Sequence, residues 1–448
     1  MELSIKDRSI TNALMWASIL TSSFDIIFTV DIGGLTLRIS QLFALAVFVF
    51  FIFDIFRGAS LRFPLAFGNL AVIIVFNTLW IYRALTVKNA VAYDIWLIFD
   101  AVEILLFTHY LSRQETLASL LRKYIFCFNA LAIVGWLQFF LQFFGINFYV
   151  TQFHAMHRTN GFSFEPSYYA TYLLMGCVIC LYLLETHNER AMSRRMLLLS
   201  AVLNIGALLT STSRMGWLML AAFVAVRSII AFYLQIKAKQ TNLMRLIELL
   251  VPLGLAVLVV VVIVGIQLKV PFIMMYTAGL GLGDDPAGSS GTRLASLAMT
   301  WEVFQNSPLV GCSFGGLDAA IAVNYGGLAT EVGNGDLSMC VSIEALAALG
   351  VCGAAFFFKY IWDLSFGCYL RVKRLSFAAK EDRQLLYALL LAHVFIFAIL
   401  QFNQNILRTV YWTHLMLICT GWSILSAQNR QARNAGQTKE REKAELTT

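Results

Sequence analysis

Charge is what this sequence most lacks. Only 13% of its 448 residues are charged, 59% are hydrophobic, and the mean hydropathy is +0.72. A soluble globular chain carries about 25% charged and about 45–50% apolar residues. With half the usual charge the chain cannot cover a water-exposed surface, so a string of soluble domains is excluded and hydrocarbon is the expected solvent. Other absences narrow the class further. The eight cysteines outline no disulfide framework, because Cys127, Cys177, Cys180, Cys352, Cys368 and Cys419 lie in or near apolar runs. Cys177 and Cys180 have CxxC spacing, yet in lipid-like sequence small apolar packing is expected rather than redox or zinc chemistry. HExxH, GxSxG and P-loop patterns are missing, and no internal repeat is visible. No small-residue cleavage site follows Lys6 and Arg8, so the apolar stretch after them reads as a retained first helix. The net charge of +7 does not point to nucleic acid. Its basic residues form short clusters between apolar runs, not a stripe interleaved with aromatics.

What is present is a series of long apolar runs. A spanning helix needs about 20 mostly apolar residues. Windows of that kind fall near 10–30, 39–56, 69–86, 92–112, 121–146, 166–184, 196–211, 214–235, 246–267, 339–363, 384–402 and 409–427. The seventh is short and runs almost directly into the eighth. The expected fold is an all-α polytopic membrane protein of about 12 transmembrane helices. One membrane domain, 1–427, contains two long loops, 147–165 and 268–338, followed by a polar tail, 428–448, expected to be disordered and cytoplasmic. Placing the N-terminus inside and alternating puts 23 of the 33 Lys and Arg residues in inner segments, 7 in outer ones and 3 within helices. That bias fits the positive-inside rule, with both termini cytoplasmic.

The seven outer cations are Arg38, Lys88, Arg158, Arg214, Lys269, Arg293 and Arg408. Three have Ser, Thr or Gly neighbours: His157-Arg158-Thr-Asn-Gly161, Thr210-Ser-Thr-Ser213-Arg214-Met-Gly216 and Ser289-Ser-Gly-Thr-Arg293. Guanidinium is planar, permanently charged and able to donate two parallel hydrogen bonds, which suits a phosphate. Three converging at one interface would suit a lipid-linked diphosphate; the competing reading is that each simply snorkels to the headgroups.

Glu165 closes the first long loop, and Pro166 follows at what should be the first helical position. It reads either as a helix-start carboxylate favoured by the dipole or as a general base or sugar-hydroxyl acceptor. His154 and His157 are rival bases. Asp94, Asp100 and Glu103 fall in the fourth helix, the last two on one face. Intramembrane acids are functional by default, but Arg83 of the third helix is a candidate to neutralise one of them. Gln401, Asn403, Gln404, Asn405 and Arg408 crowd the outer end of the eleventh helix, as sugar ligands or as a helix end at the interface. Asp284-Asp285 in a Gly-rich run is weak evidence for a metal, and no metal or cofactor is expected.

The string Arg158-Thr-Asn-Gly161-Phe-Ser-Phe-Glu165-Pro166-Ser167-Tyr-Tyr-Ala170 resembles the R..G.F.EP..fA signature of bacterial Wzy-type O-antigen and exopolysaccharide polymerases. Leu209-Thr-Ser-Thr-Ser213-Arg214-Met-Gly216 looks like the S.SR.G helix break of the same superfamily, which also contains the O-antigen ligases. Arg293, followed by Phe304-Gln-Asn-Ser-Pro308-Leu-Val-Gly311-Cys-Ser-Phe-Gly315, is similar to its R…f…sPl.G.G.G loop. Asn334-Gly-Asp336 resembles the lead into its next helix. The likeness covers roughly 155–355. It implies a GT-C-type glycosyltransferase architecture with a large periplasmic loop, in the bacterial inner membrane. The implied donor and acceptor are undecaprenyl-diphosphate-linked glycans, with a chain-length regulator and a flippase as candidate partners and no nucleic acid. Residue chemistry and the likeness together lead us to expect Glu165, Arg214 and Arg293 in catalysis, with Arg158, His157, Ser213, Asp336 and Arg408 binding substrate. Family ligases carry a His in the large loop, and 268–338 has none, which favours a polymerase. A ligase acting on lipid A-core and a lipid-linked oligosaccharide transporter remain as alternatives.

Overall fold

The computed structural model describes residues 5–32, 35–151, 157–237, 243–270, 273–274, 288–324, 340–402 and 406–445. Each apolar window carries a helix: α1 (Ile5–Thr21), α2 (Ile39–Phe56), α3 (Phe67–Leu79), α4 (Val87–Gln114), α5 (Leu117–Gln142), α6 (Pro166–Glu185), α7 (Arg194–Thr210), α8 (Arg214–Lys237) and α9 (Leu243–Gln267). Beyond these come α10 (Gly288–Asn306), α11 (Leu317–Asn324), α12 (Val341–Trp362), α13 (Cys368–Lys373), α14 (Lys380–Ile399) and α15 (Thr409–Glu445). Among the described residues six helices are long and apolar enough to cross a membrane: α2, α5, α6, α8, α12 with its continuation α13, and α14. The chain is an all-α, multi-pass membrane protein.

Six rather than a dozen meet that test because several of the others are shorter or more polar. Helices α1 and α7 have 17 residues each, and α7 opens on Arg194-Arg195. Helix α4 has Asp94, Asp100 and Glu103 buried along it, which lipid contact would not tolerate but a protein interior does. Lipid-facing helices show the opposite pattern. On α2 the residues Leu42, Leu45, Val49, Phe53 and Phe56 are exposed, and on α9 Val257, Leu258, Val261 and Val264. Helix α6 is central, with 83% of its apolar window buried against 17% for α8.

Three expectations change. The first window ends as a helix at Thr21, and Thr29–Ile32 pairs antiparallel with Leu35–Arg38 in a short hairpin, Thr29 opposite Arg38. Thr29, Val30 and Ile32 are β-branched and suit a strand. The long loop 268–338 is partly helical. Its α10 and α11 bury Val303, Leu317 and Ile321 against Ala347 of α12. The tail, expected to be disordered, continues α15 to Glu445. Its Ala, Gln, Lys, Arg and Glu are strong helix formers.

The loop after α10 is fastened by a broken helix. Gly350 of α12 has φ +65°, and the break turns nearby carbonyls outward. Cys312 N–H donates to Ala347 O (3.3 Å), Ser313 N–H to Ala348 O (3.0 Å) and Val351 N–H to Pro308 O (2.9 Å). A Cβ on Gly311 would sit 1.9 Å from Ala348 O, so only glycine fits this approach. On the other side Asn77 Oδ1 accepts from Ser313 Oγ (3.1 Å) and Phe314 N–H (2.9 Å). Asn77 Nδ2 donates in turn to Asp94 Oδ1 (2.9 Å), while Thr78 Oγ1 donates to Asp94 Oδ2 (2.8 Å). Asp94 therefore serves the loop anchor.

Candidate functional site

The site is built where the C-termini of α1, α5 and α7 meet the N-termini of α2, α6, α8 and α15. The segment 157–165 lies across this end and is held from three sides. Gln138 of α5 is fully buried and reads its backbone: Oε1 accepts from Gly161 N–H (2.8 Å) and Asn160 N–H (3.2 Å), and Nε2 donates to Gly161 O (2.6 Å). Gln142, one turn on, accepts from Arg158 N–H and donates to Arg158 O, both at 3.1 Å. Gly161 has φ +56°, and a Cβ there would sit 2.8 Å from the Tyr169 ring. Both reasons require glycine.

The second anchor is the break between α7 and α8. Thr159 N–H donates to Thr210 O (3.2 Å), and the two threonine hydroxyls are 2.9 Å apart. Arg158 Nε donates to Ser211 O (3.0 Å), three residues before Arg214. Thr212 is left-handed at φ 51°, strained for a β-branched residue. Ser213 then acts as an N-cap for α8, with Oγ accepting from Gly216 N–H at 3.4 Å and its carbonyl from Trp217 N–H at 3.0 Å. Arg214 is thus the first residue of α8. Gly216 lets α8 approach α6, since a Cβ there would lie 2.9 Å from Ala170 Cβ.

Glu165 is the N-cap of α6 with Pro166 at the first helical position. Its carboxylate does not cap the backbone. Oε2 accepts from Ser167 Oγ at 2.9 Å. The third anchor comes from the far ends of the sequence. Asp25, just after α1, donates its N–H to Phe162 O (2.9 Å), and its Oδ2 accepts from Phe164 N–H (3.4 Å). Its carboxylate pairs with Arg38 Nε at 3.0 Å and Arg408 Nη1 at 3.4 Å. Arg408 Cζ also lies 3.3 Å from the centre of the Tyr168 ring, a close cation–π contact.

Arg158, Glu165, Ser213, Arg214 and Arg408 therefore share one end of the bundle. His157 is there too, with its ring 4.3 Å from that of Phe143. Arg293 lies in the second turn of α10, and its side chain is outside the described residues. His154, Asp284, Asp285, Asn334, Asp336 and 403–405 also lie outside them. Gln401 plays a structural part, because its Oε1 accepts from Ser342 N–H (3.3 Å) and Cys340 Sγ (3.4 Å) and so fixes the start of α12. Sequence reasoning missed Asp25 and the structural use of Arg38. The signal available was an acid placed among outer cations, where opposite charges have reason to meet.

Chemically this end offers guanidiniums for an anion, a carboxylate with one oxygen committed, and hydroxyls on short loops. Among the described residues no group of three or more His, Cys, Asp or Glu side chains is arranged to hold a metal. No family model matches the chain, and no curated protein matches it.

Proposed function

We propose that the protein is a membrane glycosyltransferase that polymerises undecaprenyl-diphosphate-linked repeat units at the outer face of the bacterial inner membrane. The observation that carries this reading is the tie between two separate motifs: Arg158 bonded to Ser211 O, and the Thr159–Thr210 pairing beside it. It draws the arginine loop to the helix break that starts with Arg214, against a helix that begins at Glu165. On this reading the helices form a GT-C-type frame of about 12 spans, with both termini cytoplasmic.

Attack of a sugar hydroxyl on the anomeric carbon expels lipid diphosphate, so negative charge grows on the leaving group. Arg214 and Arg293 stabilise that charge, and Arg158 supports them. Preorganised donors of this kind contribute about 3–4 kcal/mol each. Glu165 orients or deprotonates the acceptor hydroxyl. In-line displacement inverts the anomeric centre. No metal is required where guanidinium supplies the positive charge.

The test supplies a purified lipid-linked repeat unit to the protein in detergent and follows a ladder of longer products. Arg214→Ala and Glu165→Gln should each lower elongation by about 10²–10³-fold. An Arg214→Ala variant that elongates normally would remove that residue from the site. Elongation only on adding lipid A-core would turn the reading to a ligase. No glycosyl transfer with either acceptor would leave the transporter.

A further inference from the structure

Two acids of α4 are buried in the bundle, and one of them, Glu103, has a carboxyl oxygen without a partner. Asp100 and Glu103 lie one turn apart on α4, each 3% exposed. Arg83 makes no ion pair with either among the described residues. Glu103 Oε1 is 3.1 Å from Ser18 Oγ of α1, and Oε2 is buried without a partner. Ser18 Oγ is also 2.8 Å from Ser40 O at the start of α2. A serine hydroxyl has one hydrogen, and a carbonyl can only accept, so the shorter contact takes it. Ser18 therefore cannot serve both Ser40 O and Glu103 Oε1 in full, and a hydrogen on Glu103 resolves the conflict. The Ser40 hydroxyl is also fully buried without a partner beside them.

Charge balance points the same way. The groups running from the end of the bundle into this place are Asp25, Arg38, Arg408, Asp100 and Glu103, three carboxyls against two guanidiniums. Both guanidiniums already pair with Asp25. The other ionisable groups bearing on the pair are Arg38, at the end of the hairpin just before α2 and within electrostatic reach of Asp100, and Tyr360 of α12. Tyr411 and Cys419 of α15 bear electrostatically on Tyr360 in turn. A second uncompensated buried charge is costly.

We propose that Asp100 and Glu103 form an intramembrane proton-binding site that binds a single proton, resting on Glu103 and donated to Ser18 Oγ. This inference does not depend on the reaction proposed above. The bound proton stabilises the joint of α1, α2 and α4. That joint carries Arg38, and through Asp25 the loop 157–165. The folded chain binds a proton that the unfolded chain releases at neutral pH, so this stability falls as pH rises.

The test measures thermal unfolding of the full-length protein in detergent from pH 5.5 to 9, for wild type, Glu103→Gln and Asp100→Asn. In Glu103→Gln the amide keeps a donor toward Ser18 and cannot titrate. Wild type should lose stability toward alkaline pH, by up to tenfold in the unfolding equilibrium per pH unit. Both variants should be flatter, with Glu103→Gln the more stable protein at the alkaline end. Parallel profiles for wild type and variants would overturn the proposal. So would rescue of wild type at alkaline pH by sodium but not choline, which would assign the site to a metal cation. Infrared difference spectra give a readout independent of folding yield: wild type should show a protonated-carboxyl carbonyl band that Glu103→Gln lacks. Absence of that band in wild type at neutral pH would also refute it.

Discussion

Gly161 holds its place for two separable reasons, one in its own backbone and one in its neighbour. Its φ of +56° belongs to the left-handed region, and Tyr169 fills the space a Cβ would need. Tyr169 cannot move aside, because its hydroxyl donates to Leu131 O at 2.8 Å and its tip lies against Gly135. Gly161→Ala should therefore destabilise the protein by about 2 kcal/mol, read as a lower melting temperature in detergent. It should also depress elongation, since Arg158 lies three residues away on the same loop. Glu115 makes a different case, at the opposite end of the bundle. Its carboxylate is 4% exposed and binds Lys123, Asn12 Nδ2 (3.0 Å) and Trp16 Nε1 (3.3 Å). Burial alone would raise its pKa, but hydrogen bonds from Lys123, Ser119 and Asn12 outweigh burial and hold it below the ordinary value. Stability from such a group is complete above the unfolded carboxyl value of about 4.3 and is lost as pH falls through the lower folded value. Glu115→Gln should thus melt below wild type at pH 7. The gap should close in acid, and a gap unchanged down to pH 3 would contradict the ionised pairing.

At the scale of elements, the loop 157–165 is positioned mainly by one side chain of α5. Gln138 makes contacts with Asn160, Gly161 and, through Nε2 at 3.0 Å, Phe148 O. Gln138→Leu keeps the volume and leaves these buried groups unpaired, at a cost of about 3 kcal/mol. Melting should fall accordingly, and elongation should drop at least about tenfold through displacement of the arginines. Normal elongation by a folded Gln138→Leu protein would show that the loop needs no such support. Nothing in the sequence marks Gln138 as special, because its partners are backbone groups 10 to 23 residues away. The helices were legible for the opposite reason. In hydrocarbon, hydropathy dominates the free energy of each segment, so apolar windows and helices coincide from 39–56 onward. The break at Thr210–Arg214 and the start at Pro166 were also legible, being written in local chemistry. The hairpin at 29–38, the helices inside 268–338, and the pairing of Asp25 with Arg38 and Arg408 were not. They depend on contacts between distant segments, the last across 383 residues.

Across the whole molecule, the two ends of the bundle differ in how many arginines they carry among the described residues. At the end opposite the site, arginines tie segments together through carbonyls and acids. Arg113 Nη2 donates to Ser60 O (2.8 Å), Arg122 Nε to Ala191 O (2.7 Å), and Arg190 pairs with Asp382 (2.8 Å). Arg62 is crowded there; burial, with Arg113 and Arg430 nearby, pushes its guanidinium below its ordinary pKa. On the proposed reading, clustered cations of this kind lie on the cytoplasmic side and the site end faces outward. That orientation decides whether a lipid-linked glycan delivered to the outer leaflet can reach Arg214 at all. Single cysteines placed in a cysteine-free background test it: Ser60→Cys at the arginine-rich end and Asn147→Cys after α5. Removing the native thiols matters because Cys352 is exposed. A membrane-impermeant maleimide added to intact spheroplasts should label Asn147→Cys and leave Ser60→Cys untouched until the membrane is opened. The reverse pattern would turn the site toward the cytoplasm. Polymerisation at the outer face would then be excluded, whatever the arginines bind.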